Sequence, residues 1–128
     1  DTPKHTEAIL RERLASGVAP FSRSEAAMGL AWYERVKRGH RVEVPVIEFD
    51  RAHVLMLLPA EAYVEFQLFA QEQRPEAFVM VMGYGECGAG YIPIDRAFRE
   101  NDGNLNDWAW TPPGSEAVMK NAIREVLK

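Results

Sequence analysis

The sequence predicts an α/β fold with a small mixed sheet, a βαβ unit, an N-terminal helical hairpin and a C-terminal helix. Three observations lead to this prediction. Residues 1–40 carry apolar side chains at helical spacing, while residues 53–58 and 78–82 are short apolar runs typical of buried strands. A helical pattern separates these two runs, and strand, helix and strand in this order predict a parallel pair. We therefore divide the chain into a hairpin, residues 1–40, and an α/β unit, residues 41–128.

Composition excludes several classes of protein. With 128 residues, 47% hydrophobic and 27% charged, the chain can bury a core and is not expected to be disordered. A formal net charge of −4 argues against nucleic acid as a partner. No apolar run reaches the roughly 20 residues of a membrane-spanning helix, so no transmembrane segment is predicted. The one cysteine excludes an internal disulfide and a cysteine-rich zinc site.

Two helices are predicted for the hairpin. Thr2 and Pro3 suit the N-cap and the first position of the first helix. Ser22 or Ser24 is expected to cap the second helix, which continues to Gly39. The basic residues in its last turn suit the helix dipole, so we prefer a solvated helix end to a phosphate site.

The α/β unit begins with strands. Residues 41–49 alternate in polarity, and Pro45 predicts that this strand lies at a sheet edge, because proline cannot donate to a ladder. Residues 53–58 are expected to form a central strand, antiparallel to the first. A helix is predicted over residues 61–73 and a second buried strand over residues 78–82.

The remaining residues predict two more helices joined by a loop. Asp95 is expected to cap a short helix, and residues 101–106 (NDGNLN) have the composition of a turn-rich loop. Ser115 is expected to cap the last helix, whose apolar stripe runs to Leu127.

Glu61 and Tyr91 occupy positions where such folds usually place chemistry. Glu61 follows Pro59 and Ala60 at the carboxyl end of a strand, and Tyr91 emerges from the loop after the next strand. Ligands of open α/β sheets gather at the carboxyl ends of parallel strands, so the two side chains could face one site. Each also has an ordinary interpretation: Glu61 as an acid stabilised by a helix N-terminus, and Tyr91 as a packed aromatic.

Residues 83–88 (GYGECG) match the G-x-G-x-x-G string of dinucleotide sites. That motif needs a following helix to hold the pyrophosphate, but residues 89–93 are extended and end in proline. We therefore reject nucleotide binding. The glycines are expected instead to adopt positive φ angles and allow a close approach. They are Gly83, Gly85, Gly88 and Gly90.

Other reactive or aromatic residues give weaker indications. Cys87 is interpreted as an inert thiol, because no histidine has an evident claim to be its base. The histidines lack metal-ligand spacing among themselves; they are His5, His40 and His53. Trp108 and Trp110 share a side if extended, and we favour core cover or an interface over a sugar- or lipid-facing platform.

The order of motifs after residue 57 resembles the C-terminal part of the neutral/alkaline ceramidase family and its bacterial relatives. The matching segments are LPAEAYVEFQ, FVMVMGYG, GAGYIPIDRAF and PPGSEAVMKNAIREVL, preceded by VEVPVIEFDRAHVLMLL. In that family a Pro-Gly-Glu turn after a strand is followed by a helix, a strand, a Gly-Tyr segment and a last helix. Here Ala60 stands where the family has glycine, and residues 101–104 (NDGN) lack its second active-site tyrosine.

The resemblance implies a zinc amidase that cleaves the N-acyl bond of a sphingolipid, with Glu61 and Tyr91 as zinc ligands. It further implies two zinc-binding histidines in preceding polypeptide, a lipid-like or other N-acyl amide substrate, and a secreted or periplasmic parent protein. We therefore expect the C-terminal segment of a ceramidase-like zinc hydrolase, inactive alone and partnered by the rest of its own parent chain. The alternative is a non-enzymatic α/β interaction or structural module, whose apolar surface lies around Trp108 and Trp110.

Overall fold

The computed structural model describes residues 6–17, 19–86, 89–106 and 108–128. Within them the predicted α/β fold is confirmed: an N-terminal helical hairpin, a mixed three-stranded sheet, a second two-stranded sheet and a C-terminal helix. The chain forms two compact units, Asp1–Arg41 and Val42–Lys128. In the described part of the chain no helix is both long enough and apolar enough to cross a membrane.

The first unit contains α1 (Glu7–Ala15) and α2 (Pro20–Lys37). Thr6 caps α1, because its side chain accepts a hydrogen bond from the Ile9 amide at 3.4 Å. The predicted start at Thr2 and Pro3 lies outside the described residues.

The start of α2 corrects a prediction. Ser22 and Ser24 do not cap this helix, since both lie inside it and Ala19 is the N-cap. Pro20 occupies the first helical position, where its fixed φ starts the helix two residues before the first of these serines. The Ser24 hydroxyl donates to the carbonyl of Pro20 instead.

The second unit contains five strands and three further α-helices within the described residues. The strands are β1 (Val46–Asp50), β2 (His53–Leu57), β3 (Glu61–Ala62), β4 (Phe78–Met82) and β5 (Tyr91–Ile92). The helices are α3 (Val64–Gln73), α4 (Asp95–Arg99) and α5 (Ser115–Val126), and a 3₁₀ turn spans Gly103–Leu105.

The main sheet has the order β1-β2-β4, with β1 antiparallel and β4 parallel to β2. The predicted central position of β2 and edge position of β1 are therefore confirmed. β1 begins at Val46, so the prediction of a strand over residues 41–45 was wrong. Pro45 precedes the strand because it has no N–H, although its carbonyl accepts from the Leu57 amide.

One face of the main sheet forms the core with α3. Val54 and Met56 of β2 are fully buried, as are Phe66 and Ala70 of α3. The register places Val79 of β4 beside Val54 on the same face. Apolar burial of this kind contributes roughly 25 cal/mol per Å², so the packing of α3 on this face stabilises the unit.

The opposite face of the main sheet carries apolar side chains, half of them exposed and half of them half-buried; we call it the open face. Alternation along the strands places six apolar side chains there. They are Ile47, Leu55, Leu57, Phe78, Met80 and Met82. Phe78 is 64% exposed, and Ile47 and Met82 are each about half exposed.

The predicted helix over residues 61–73 is wrong at its start, because α3 begins at Val64 with Tyr63 as its N-cap. The preceding residues form β3 instead, since Ala60 turns the chain with a φ of 50°. Pairing of β3 with β5 satisfies the backbone groups that a helix would otherwise have used. Glu61 is therefore not a helix-terminal acid, and that interpretation of its charge is overturned.

The helices α4 and α5 each begin one residue earlier than predicted, because the residue expected to be the N-cap is already helical. Asp95 and Ser115 are the first helical residues of α4 and α5, and neither is an N-cap. Each helix instead caps the other. Asp95 Oδ1 accepts from the Gly114 amide at 2.8 Å, and Glu116 Oε2 accepts from the Asp95 amide at 2.7 Å.

Candidate functional site

Glu61 and Tyr91 are register partners in the parallel pair formed by β3 and β5. The Glu61 amide donates to the Gly90 carbonyl at 3.0 Å, and the Tyr63 amide donates to the Ile92 carbonyl at 3.1 Å. Because partners in a parallel register point to the same side, the two side chains share one face. They lie in a separate two-stranded sheet, whose first strand, β3, follows the carboxyl end of β2.

A cleft of about 290 Å³ opens over this small sheet. Both Glu61 and Tyr91 line it. The other lining residues are Ala60, Ala62, Tyr63, Val64, Gly83, Tyr84, Asp102 and Asn104. The cleft therefore combines three tyrosines and two carboxylates with a few small apolar side chains.

The strand that carries Tyr91 is held from its outer side by residues 108–111. The Tyr91 amide donates to the Trp108 carbonyl at 2.8 Å, and the Thr111 hydroxyl donates to the Tyr91 carbonyl at 3.4 Å. Gly90 has a φ of 63°, and a Cβ there would collide with the Trp108 carbonyl oxygen. The predicted close approach at a glycine is thus confirmed at position 90.

The loop after β4 forms another wall of the cleft. Its predicted positive φ angles are absent at Gly83 and Gly85, while Gly88 and Cys87 lie outside the described residues. Among the described residues of this loop, Tyr84, with a φ of 58°, is left-handed in addition to Gly90. The predicted positive φ is confirmed at Gly90 and wrong at Gly83 and Gly85, because the first part of the loop turns at the tyrosine and Gly85 allows the close approach to Leu58.

A hydroxyl–carboxylate pair joins two walls of the cleft. The Tyr63 hydroxyl donates to Asp102 Oδ2 at 2.6 Å. Burial, followed by the Asp102 carboxylate, raises the pKa of Tyr63 to about 12. The hydrogen bond from Tyr63, followed by that from the Asn104 amide, lowers the pKa of Asp102. Asp102 is thus held as an anion and Tyr63 as a neutral phenol at neutral pH.

A second pair involves the predicted site residue. The Tyr84 hydroxyl donates to Glu61 Oε2 at 3.3 Å, and the negative charge of Glu61 raises the pKa of the Tyr84 phenol. The Tyr63 ring meets the Tyr91 ring edge to face, with 6.2 Å between centroids. The two flanking tyrosines therefore each contact one of the two predicted ligands.

Two donors from this cleft suit a metal ion. The Glu61 carboxylate and the Tyr91 phenol can each offer an oxygen ligand, and zinc sites commonly combine oxygen and nitrogen ligands. The described residues contain no group of three or more histidine, cysteine, aspartate or glutamate side chains that could hold a metal. His53 contacts Asp50 at 3.0 Å and does not line the cleft, and His5 lies outside the described residues.

Sequence reasoning missed Tyr63, Tyr84 and Asp102 as cleft residues. A large aromatic between two glycines, directly after a strand, was a usable signal for Tyr84. Tyr63 and Asp102 gave no local signal, because their meeting depends on how the strands pair.

The two tryptophans lie behind β5 and do not line the cleft. Their rings are 6.4 Å apart between centroids, and both are half-buried. Backbone bonds join Trp108 to Tyr91 and Trp110 to Ala89. Phe78 on the open face is 64% exposed, whereas both tryptophans lie outside that face.

No protein-family model, curated protein or solved structure matches the chain.

Proposed function

We propose that this chain is the C-terminal segment of a ceramidase-like zinc amidohydrolase that cleaves N-acyl amides. In this proposal Glu61 and Tyr91 supply two zinc ligands, and the segment is inactive alone. The observation that carries the proposal is the pairing of Glu61 with Tyr91 on adjacent parallel strands within one cleft. The sequence resemblance selects the same two residues independently of that pairing.

The donor set fits half of a zinc site. Catalytic zinc usually takes three or more protein ligands and keeps a position open for water or substrate. Two oxygens come from this cleft, so histidines from the rest of the parent chain are needed to complete the site. Zinc held in this way would polarise the amide carbonyl and activate water for attack.

Residues of this chain would orient the two ligands. The Tyr63 ring restrains the Tyr91 ring through their edge-to-face contact. Asp102 in turn fixes the Tyr63 hydroxyl. Ala60, Ala62 and Val64 give the cleft apolar surface of the kind that an acyl chain needs.

The open face supports the proposed partnership with the rest of the parent chain. Contiguous exposed apolar patches on a protein usually mark an interaction surface. Six apolar side chains on one sheet face would pack well against a further layer of the same polypeptide. The same observation favours the second candidate function, a non-enzymatic module that binds another protein through this face.

The deciding experiment measures zinc per chain in the complete gene product. We expect about one zinc in the wild type and loss of it in Glu61→Gln. Glu72→Gln, at an exposed position on α3 outside the cleft, is the matched control and should keep the metal. A wild type without zinc would refute the hydrolase proposal. Hydrolysis of N-acyl amides by the zinc-loaded wild type then tests the reaction.

The second candidate is tested on the open face. Phe78→Lys in the complete gene product should lower the free energy of unfolding if other parts of the same polypeptide cover this face. Val118→Lys is the control, because Val118 is 72% exposed on α5. If Phe78→Lys leaves stability unchanged and abolishes binding of a separate protein, the interaction module is favoured.

A further inference from the structure

Tyr84 is fixed opposite Glu61 by the backbone of its loop. The Tyr84 amide donates to the Ala60 carbonyl at 2.9 Å, and the Gly85 amide donates to the Leu58 carbonyl at 2.8 Å. A Cβ on Gly85 would approach Leu58 O to 2.8 Å, so the loop lies directly against the turn that precedes Glu61. The loop and the glutamate therefore keep a defined separation.

Packing does not explain a tyrosine at this position. The side chain is 74% exposed, so it contributes little to a core. Its φ of 58° lies in the left-handed region, which a bulky aromatic rarely adopts and which glycine would occupy without strain. Strained residues of this kind cluster at functional sites. The specific contact that the residue does make is the hydrogen bond from its hydroxyl to Glu61 Oε2.

We propose that Tyr84 is a positioning residue that holds the Glu61 carboxylate for metal binding by occupying its Oε2 oxygen. This inference rests on the proposed function. A phenol bound to Oε2 restricts rotation of the carboxylate and leaves its other oxygen for the metal. Carboxylate ligands are regularly hydrogen-bonded by neighbouring groups in this way, and those groups tune metal affinity. The separation of 3.3 Å is long for an O–H···O bond, so this contact restrains the carboxylate without holding it rigidly.

The proposal assigns different roles to the three cleft tyrosines. Tyr91 offers its own oxygen to the metal, Tyr63 restrains the ring of Tyr91, and Tyr84 acts on the metal only through Glu61. Loss of the Tyr84 hydroxyl should consequently lower the affinity for the metal without changing the number of ions bound per chain. Loss of Glu61 should remove the metal altogether.

The test compares zinc affinity of the wild type and Tyr84→Phe in the complete gene product, by competition with a chromogenic chelator. We expect binding about 10- to 100-fold weaker in Tyr84→Phe, with the same stoichiometry at saturating zinc. Tyr84 is so exposed that this change should not affect folding. Tyr33→Phe, which removes a hydroxyl that does not line the cleft, should bind zinc as the wild type does.

A second readout separates positioning from a general effect. With cobalt(II) in place of zinc, the visible absorption spectrum of Tyr84→Phe should differ from that of the wild type, because the carboxylate is held differently. Equal affinities and identical spectra in the two proteins would overturn the role of Tyr84 and leave the proposed function intact. A wild type that binds no zinc would overturn both.

Discussion

Gly90 lies so close to the carbonyl of Trp108 that no side chain fits between them. This contact positions the next residue, Tyr91, so that its amide donates a hydrogen bond to the same carbonyl. The small sheet that pairs Glu61 with Tyr91 therefore depends on a glycine at position 90.

Gly90→Ala should destabilise the second unit severely. The new Cβ would collide with backbone, which yields less readily than a side chain, and the φ of 63° is itself unfavourable for alanine. We expect a loss of about 3 kcal/mol or more in the free energy of unfolding, measured with urea. Gly83→Ala is the matched control, since a Cβ there meets nothing within 4 Å. A similar small change in both variants would contradict the role of this contact.

The Tyr63–Asp102 pair should make stability depend on pH. Asp102 has a pKa below its ordinary 3.8, so its contribution is present above about pH 4 and is lost as the pH falls through its native pKa. Tyr63 has a pKa of about 12 instead of 10.0, so its contribution is present below about pH 10 and is lost as the pH rises toward 12.

Tyr63→Phe should therefore be less stable than the wild type by about 1 kcal/mol at neutral pH, because it loses one hydrogen bond. The difference in free energy of unfolding between the two proteins should become smaller below pH 4 and also above pH 10. Unfolding by urea at several pH values measures it. A difference that stays constant over this range would contradict the role of the hydrogen bond between Tyr63 and Asp102, because phenylalanine keeps the ring and loses only this bond.

The reciprocal capping of α4 and α5 gives a third prediction. Glu116 accepts from both Lys120 and the Asp95 amide, and these contacts lower its pKa. Glu116→Ala leaves the first turn of α4 without this acceptor and should cost about 1 kcal/mol. Glu125→Ala, at an exposed position of α5, should change stability by less than about 0.5 kcal/mol. Equal effects of the two substitutions on thermal unfolding would refute the capping role.

Elements with a strong local pattern were predictable from the sequence. The apolar runs of β2 and β4 and the apolar stripe of α5 each repeat one signal over several residues, so chance matches are few. The antiparallel pairing of β1 with β2 followed from the short turn between them.

The candidate site was predictable only in part. Glu61 and Tyr91 were identified, but their pairing lies in strands of two residues, too short to show any period. Glutamate is common in the first turn of a helix, and the ladder with β5 overrode that preference at Glu61. The hydrogen bond between Tyr63 and Asp102 depends on the tertiary fold, and no local sequence pattern predicts it.

Ala60 provides the last prediction, because it is a non-glycine residue in the left-handed region at the turn before Glu61. Its φ is 50°, a conformation that costs an L-residue roughly 1–2 kcal/mol and costs glycine almost nothing. Ala60→Gly should therefore stabilise the protein, by up to about 1 kcal/mol after the greater chain entropy of glycine is subtracted. Urea unfolding would measure the gain.

Ala62→Gly is the control for this substitution, because Ala62 lies in β3 with extended backbone. There the same change should destabilise by about 0.5–1 kcal/mol. If Ala60→Gly stabilises the protein and Ala62→Gly destabilises it, the backbone of the wild type is strained at the turn before Glu61. If both substitutions destabilise, the turn gains nothing from glycine. The left-handed conformation of Ala60 would then carry no measurable cost in the free energy of unfolding.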